Sequence, residues 1–419
     1  VGVALAALLV ALAAGDATEP ATLTVGLPAE ARSAEAGGFM KVQPVYLRMP
    51  AVYERGGLPR EAWLATQTAR AWVRWDPRAS VTLQAAWQLE GVVASDPRFA
   101  MTAGPVPLSG GSGQGAKRRL VDFDGELAAG GGMRLRHNVD QLAAAWHAPW
   151  GDLTVGRQVL SWGSGRFWNP TDLLSPFAPT DIDKEVRHGV DALRATVPLS
   201  PTAQVDGLWL PQQAGRDNGG VLRAQVNVAG FDVVPSAAKY VRDTVAGLDL
   251  TGDAGPAGVH AEAAWTRALD VDARGRRDNF VRAVAGAEGR PLDALVILGE
   301  YYFNGWGAKR PAEYLAVRES SRVERGEVFG AGRHYLGLSA AWLASELVTL
   351  QAAVTVNLQD PSAMAVPMVE VWAAQEVLVR AGGYVPLGAA PQMGYGLEVR
   401  SEYGASPAGA FVQLGIYAQ

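Results

Sequence analysis

Val81-Thr82-Leu83-Gln84-Ala85-Ala86-Trp87-Gln88-Leu89-Glu90 decides the fold. Val81, Leu83, Ala85, Trp87 and Leu89 fall on one side, and Thr82, Gln84, Ala86, Gln88 and Glu90 on the other. A period of two marks a strand, and one apolar face per strand makes a sheet between two solvents. The alternation returns from Leu347 to Gln359. There Val348, Leu350, Ala352, Val354, Val356 and Leu358 oppose Thr349, Gln351, Thr355, Asn357 and Gln359.

Such runs recur through nearly all of the 419 residues, 48% of them hydrophobic, while mean hydropathy stays close to zero. Interleaved apolar and polar positions have that effect, as in a barrel with lipid outside and water inside. The absence of cysteine excludes disulfide scaffolds, thiolate metal sites and thiol catalysis. A formal net charge of −5 gives no basis for nucleic acid as a partner. The one continuous apolar block, Val1 to Ala14, is shorter than the ~20 residues a membrane-spanning helix needs. With Ala11-Leu12-Ala13 and then Gly15-Asp16, it reads as the core and cleavage region of a secretion signal. The expected organisation is a signal remnant at 1–14, a periplasmic segment at 15–38 and a barrel over 39–419.

Strands are expected at Phe39 to Arg48, Trp63 to Trp75, Val81 to Glu90, Asp140 to Ala148, Asp152 to Trp162, Gly189 to Val197 and Thr202 to Leu210. They continue at Thr244 to Thr251, Val259 to Arg267, Phe280 to Glu288, Ala294 to Phe303, Tyr335 to Leu343 and Leu347 to Gln359. Val366 to Ala373, Glu376 to Val385, Tyr395 to Tyr403 and Ala410 to Ala418 complete the set. These seventeen segments must resolve to an even number in a single-chain bacterial barrel. The reading is therefore about 16 strands, with about 18 as the alternative and Val221 to Val228 as the extra candidate. Trp63 and Trp75 share the outward face; at ~3.3 Å per residue and ~40° tilt they stand roughly 30 Å apart, as two aromatic girdles would. Short turns around Asp76-Pro77, Pro149 to Gly151, Pro198 to Pro201, Arg290-Pro291, Ser345 and Ala374-Gln375 alternate with long connections. Those are Gly91 to Gly132, Gly163 to His188, Pro211 to Lys239 and Asn304 to Arg333. Short connections on one rim and long ones on the other are the outer-membrane pattern.

One segment carries more than periodicity. It reads Gly156-Arg157-Gln158, Trp162-Gly163-Ser164-Gly165 and Trp168-Asn169-Pro170-Thr171-Asp172-Leu173-Leu174. Pro176-Phe177-Ala178-Pro179 and the charged run Asp181 to Arg187 follow, ending at Gly189-Val190-Asp191. This resembles a proteobacterial group of porin-like outer-membrane β-barrels, in a class with the alginate-export-type barrels. In that group a "GRQ…WG…NP-D-L…P-F" segment joins two strands. Over the remainder of the chain the likeness consists of barrel periodicity and the Ser401-Glu402-Tyr403-Gly404 hairpin; it departs at Tyr417-Ala418-Gln419, where such barrels end on an aromatic residue. The resemblance implies an outer-membrane channel and leaves its solute open.

The Gly163 to His188 segment is too long for a turn and too rich in proline and aromatic residues for a loose loop. Folded inward, it would bring Asp172, Asp181, Asp183, Lys184, Glu185 and Arg187 to the passage, with Arg194, Gln204 and Asp206 on adjoining strands. Arg157 breaks its strand's alternation and is expected to line the barrel. Opposed charges in a narrow pore select solutes by charge and hydration. The competing reading is a salt-bridge lattice bracing a plug, and the two are compatible.

The remaining motifs have bland readings. Gly110 to Lys117 resembles a phosphate loop, but Ala116 separates the final glycine from Lys117. Gly163-Ser164-Gly165 lacks the spacing of a nucleophile elbow. His137, His147, His188, His260 and His334 are scattered without metal-ligand spacing, and His260 is expected in the lumen beside Glu262. The charged Asn304 to Arg333 stretch reads as a solvated loop, or as a surface for lipopolysaccharide. The function expected is diffusion of small hydrophilic solutes through an outer-membrane pore, without cofactor, metal or enzymatic activity. A plugged barrel serving export or envelope assembly with a periplasmic partner is the alternative. A homo-oligomer is compatible with both.

Overall fold

The computed structural model describes residues 33–101, 119–179, 181, 183–269, 278–394 and 396–418. The expected signal and the glycine-rich loop at 110–117 lie outside the described residues. Eighteen antiparallel strands close into one barrel. They are β1 (Ser33–Arg48), β2 (Glu61–Arg78), β3 (Val81–Ala94), β4 (Met133–Ala148), β5 (Gly151–Gln158) and β6 (Val190–Ser200). Next come β7 (Ala203–Leu210), β8 (Gly219–Val228), β9 (Phe231–Tyr240), β10 (Asp243–Ala254), β11 (Ala257–Arg267) and β12 (Phe280–Leu292). Last are β13 (Leu295–Asn304), β14 (His334–Ser345), β15 (Val348–Asn357), β16 (Ser362–Ala374), β17 (Val377–Leu387) and β18 (Ala408–Ala418). Each pairs with its neighbours in sequence, and β18 closes on β1 with Leu414 opposite Val42 and Phe411 opposite Val45.

The alternative count of 18 therefore replaces the expectation of about 16. Val221 to Val228 is a strand, and the stretch expected as a long connection holds a second one, β9. Pro235, with Ser236, Ala237 and Ala238 after it, blurs the β9 alternation. Conversely, Tyr395 to Tyr403 is not a barrel strand: Leu397–Glu398 pairs only with Gln392–Met393, and Tyr403–Ala405 is a 3-10 turn.

Eight hairpins on one rim turn in two residues each, between β2 and β3, β4 and β5, and so on to β16 and β17. Of the nine connections on the opposite rim, 49–60, 95–132, 159–189, 268–279, 305–333 and 388–407 are long, and 211–218, 241–242 and 358–361 are short. Outward positions are apolar around the circumference: Val73, Leu142, Val155, Leu222, Leu248, Ile297, Leu338, Val412 and Leu414 are all exposed. So large an exposed apolar surface needs a nonaqueous solvent. Trp63, Trp209, Trp265 and Tyr301 lie outward near the long-loop rim, and Trp146, Trp150, Trp342 and Trp372 near the short-turn rim. No helix among the described residues is long and apolar enough to cross a membrane, so crossing falls to the strands.

Candidate functional site

Inward positions on the wall carry ion pairs beside buried apolar clusters. Arg70 Nε lies 3.0 Å from Asp140 Oδ2, Arg194 Nη2 lies 2.7 Å from Asp206 Oδ1, and Arg380 Nε lies 2.7 Å from Glu370 Oε2. Asp140 reaches Arg70 through a bulge. Ala86 pairs with Gln141 and Trp87 with Val139, which leaves Asp140 as the extra residue, re-aimed into the lumen.

Into this polar bore folds the 159–189 connection between β5 and β6, held in three places. Its root packs Leu160, Trp162, Leu173 and Leu174 against Leu208, Leu210, Val221 and Val245 of β7, β8 and β10. Farther along, backbone amides converge on two buried wall carboxylates. Glu262 of β11 accepts from Ser164 N (2.8 Å) and Gly165 N (2.7 Å) on Oε1, and from Thr171 N (3.0 Å) and Thr171 Oγ1 (2.6 Å) on Oε2. Glu300 of β13 accepts from Arg166 N, Phe167 N (2.9 Å) and Trp168 N (3.4 Å). Ser164 Oγ donates to Asp249 Oδ1 of β10 at 2.5 Å.

Glycine is required where the loop comes closest. At Gly163, with φ of +86°, a Cβ would stand 2.8 Å from Glu262 Oε1. On β14 a Cβ at Gly337 would strike the Phe167 ring at 2.7 Å, so this glycine opens the wall for the aromatic pair. Trp168 then stacks on Tyr302 with ring centroids 5.1 Å apart.

The distal end of the loop crosses to the seam where the barrel closes. Asp183 Oδ2 lies 2.6 Å and Glu185 Oε2 2.7 Å from Lys41 Nζ of β1. Arg380 of β17 approaches Glu185 at 3.2 Å, and the Tyr417 hydroxyl of β18 donates to it at 2.9 Å. Lys41 is only 3% exposed, and its ammonium also sits 4.4 Å from the Phe39 ring centre. Burial would raise the Glu185 carboxyl, but the Lys41 and Tyr417 hydrogen bonds hold it below the ordinary carboxylate value. For Asp181 burial outweighs the Ala178 amide and the Lys184 charge and pushes the carboxyl up to about 6.

The residues singled out in sequence therefore divide. Asp183, Glu185 and Lys184 stand at the crossing, with Lys184 exposed and its Nζ 3.3 Å from Arg166 O. Asp172 is wholly buried and braces the loop from within, accepting from Arg187 Nη1 (2.7 Å) and the amides of Leu174 and Ser175. Arg194 faces the lumen beside Asp206.

Arg157 requires a correction. It pairs across strands with the exposed, outward Leu142, so it has the parity of the outer wall. There it is buried, bonded to Asp191 Oδ1 (2.8 Å), Val139 O (2.7 Å) and Val121 O (2.5 Å). It pins the 119–124 segment to the rim. Glu262, Glu300 and Lys41 were missed as the loop's partners, because each is an ordinary inward residue in an alternating strand.

Among the described residues, His147 is the histidine placed between a carboxylate and a hydroxyl. His147 lies 2.7 Å from Asp152 Oδ1 and 3.1 Å from Thr82 Oγ1. Thr82, however, donates its single hydroxyl hydrogen to Asp76 at 2.6 Å, so it supplies no nucleophile for a histidine base. Among the described residues no group of three His, Cys, Asp or Glu could hold a metal ion.

The barrel is shared with solved structures. It is similar to Pseudomonas aeruginosa OpdK, solved with vanillate, at 8% identity and a TM-score of 0.54, covering 91% of this chain and 98% of that one. P. aeruginosa OccK2 (OpdF) gives 11% identity, 0.54, 92% and 98%, and Acinetobacter baumannii OccAB3 gives 8%, 0.54, 91% and 99%. At such identities the likeness is one of fold. No protein-family model matches the chain, and no curated protein matches it in sequence.

Proposed function

We propose that the chain is an outer-membrane channel for diffusion of small hydrophilic solutes, with the 163–188 segment as its constriction. The observation that carries this reading is the loop's path. It leaves the wall between β5 and β6, is clamped at β11 and β13, and ends on β1, β17 and β18. An 18-stranded barrel is wide enough for water unless something narrows it. The outer surface takes lipid, and lipopolysaccharide where the long loops emerge. Asp181, Asp183, Lys184, Glu185, Arg187 and Arg194 set the field a solute meets, whereas Asp172 and Arg157 hold structure.

Solute entry into liposomes tests the proposal. Vesicles carrying the protein are expected to swell in small sugars and amino acids, more slowly as solute size grows. Swelling no faster than in empty vesicles, with the barrel folded, would overturn it.

A further inference from the structure

Glu262 and Glu300 are almost fully buried, at 2% and 1% exposed. Burying a carboxylate is costly unless opposite charge or hydrogen bonds compensate it. Here the compensation is unusual. Among the described residues no lysine or arginine forms an ion pair with either group, and the only charge-capable contact is His260 Nε2, 2.8 Å from Glu300 Oε1. The compensating donors are the loop itself, four to Glu262 and three to Glu300.

We propose that Glu262 and Glu300 are positioning residues for the constriction, and that their ionisation holds the loop across the bore while their protonation releases it. The inference rests on the reading of 163–188 as the constriction. An ionised carboxylate only accepts, and each oxygen here faces at least one donor; a protonated one turns an O–H toward the donors on one oxygen, loses bonds there, and keeps only a neutral, weaker acceptor on the other. The linkage is reciprocal: a loop that binds only the ionised form favours ionisation, and protons favour release.

The charged groups around the clamp modulate this balance. Asp249 of β10, joined through Ser164 Oγ, places a second carboxylate beside Glu262. β12 brings the Arg282 cation and the Glu288 carboxylate to the same part of the wall, Glu288 held by Arg166 at 3.2 Å. His260 of β11 and Lys184 of the loop bear on Glu300. Arg223 of β8 acts on Asp249.

The test is amide hydrogen exchange of Ser164 to Trp168 in lipid nanodiscs, corrected for intrinsic pH dependence, on wild type, Glu262→Gln, Glu300→Gln and the double variant. Glutamine keeps the shape but turns an amide donor toward the loop. At neutral pH the double variant is expected to exchange ~100-fold faster than wild type, each single less, since bonds to a charged acceptor are lost. Wild type should cross to the fast rate in acid, and the double variant should stay fast throughout. Heat-shifted gel mobility shows that each barrel is folded. Wild-type protection in a folded double variant at neutral pH, or undiminished wild-type protection in acid where the wall remains protected, would overturn the proposal. Exchange reports on the loop whether or not the protein conducts. A non-conducting wild type with the expected exchange pattern would therefore refute the channel and leave the clamp standing.

Discussion

Beyond its apolar root, the crossing loop has two attachments of opposite chemistry. At β11 and β13 the wall supplies carboxylates and the loop supplies its backbone. At β1 and β17 the wall supplies Lys41 and Arg380, and the loop supplies the carboxylates of Asp183 and Glu185, each 33% exposed. A backbone clamp depends on the path of the loop and hardly on its side chains; an ion-pair latch depends on side chains and feels salt. The near attachment should be the strong, salt-insensitive one, and the far attachment the adjustable one.

Removal of Trp168 should discriminate most sharply. Trp168 is 2% exposed and stacked on Tyr302. Trp168→Ala is expected to weaken the near attachment by about 3–5 kcal/mol, read as faster amide exchange from Ser164 to Thr171. Exchange unchanged there would mean that the carboxylates alone suffice.

Lys41→Met should loosen the far end by about 2 kcal/mol, since Arg380 remains to meet Glu185. Exchange around Glu185 should accelerate while Ser164 to Thr171 keep their protection. Raising the salt to 1 M, where the screening length falls to about 3 Å, should produce part of that loosening in wild type. Loosening of both ends together would break the comparison.

Asp181 gives a smaller effect with a defined sign. A carboxyl pushed up to about 6 is charged above that pH and neutral below it. Cation preference of the current should therefore fall as pH drops through 6, and Asp181→Asn should flatten this step. The smallest effect is expected on the outer surface. Arg310 and Glu313 pair at 2.6 Å, but Arg310 is 78% exposed, so Arg310→Ala should shift thermal stability by less than about 0.5 kcal/mol.

The wall was legible because each strand reports its two solvents in a two-residue period. Val81 to Glu90 and Leu347 to Gln359 show it, and the structure places their faces so over Val81 to Glu90 and Val348–Asn357, with Leu347, Leu358 and Gln359 in the turns. β9 escaped because Pro235 and small residues weaken the contrast, and Tyr395 to Tyr403 was misread because a capping loop can alternate by chance over a few residues. The loop's inward path was legible in its prolines and aromatic residues. Its partners were not, since pairing Glu262 with Gly165, or Lys41 with Glu185, depends on the closed barrel bringing distant strands around one lumen. Arg157 shows the converse. Its break in alternation was a true signal, but of a rim latch on the outer wall.

Planar-bilayer conductance of wild type beside a folded variant lacking 163–188 tests the central claim most directly. The account predicts steady current through wild type, and a larger, less ion-selective current through the variant. A silent wild type whose variant conducts would contradict it and make the barrel plugged, as an export component would be. Silence from both would contradict the channel itself.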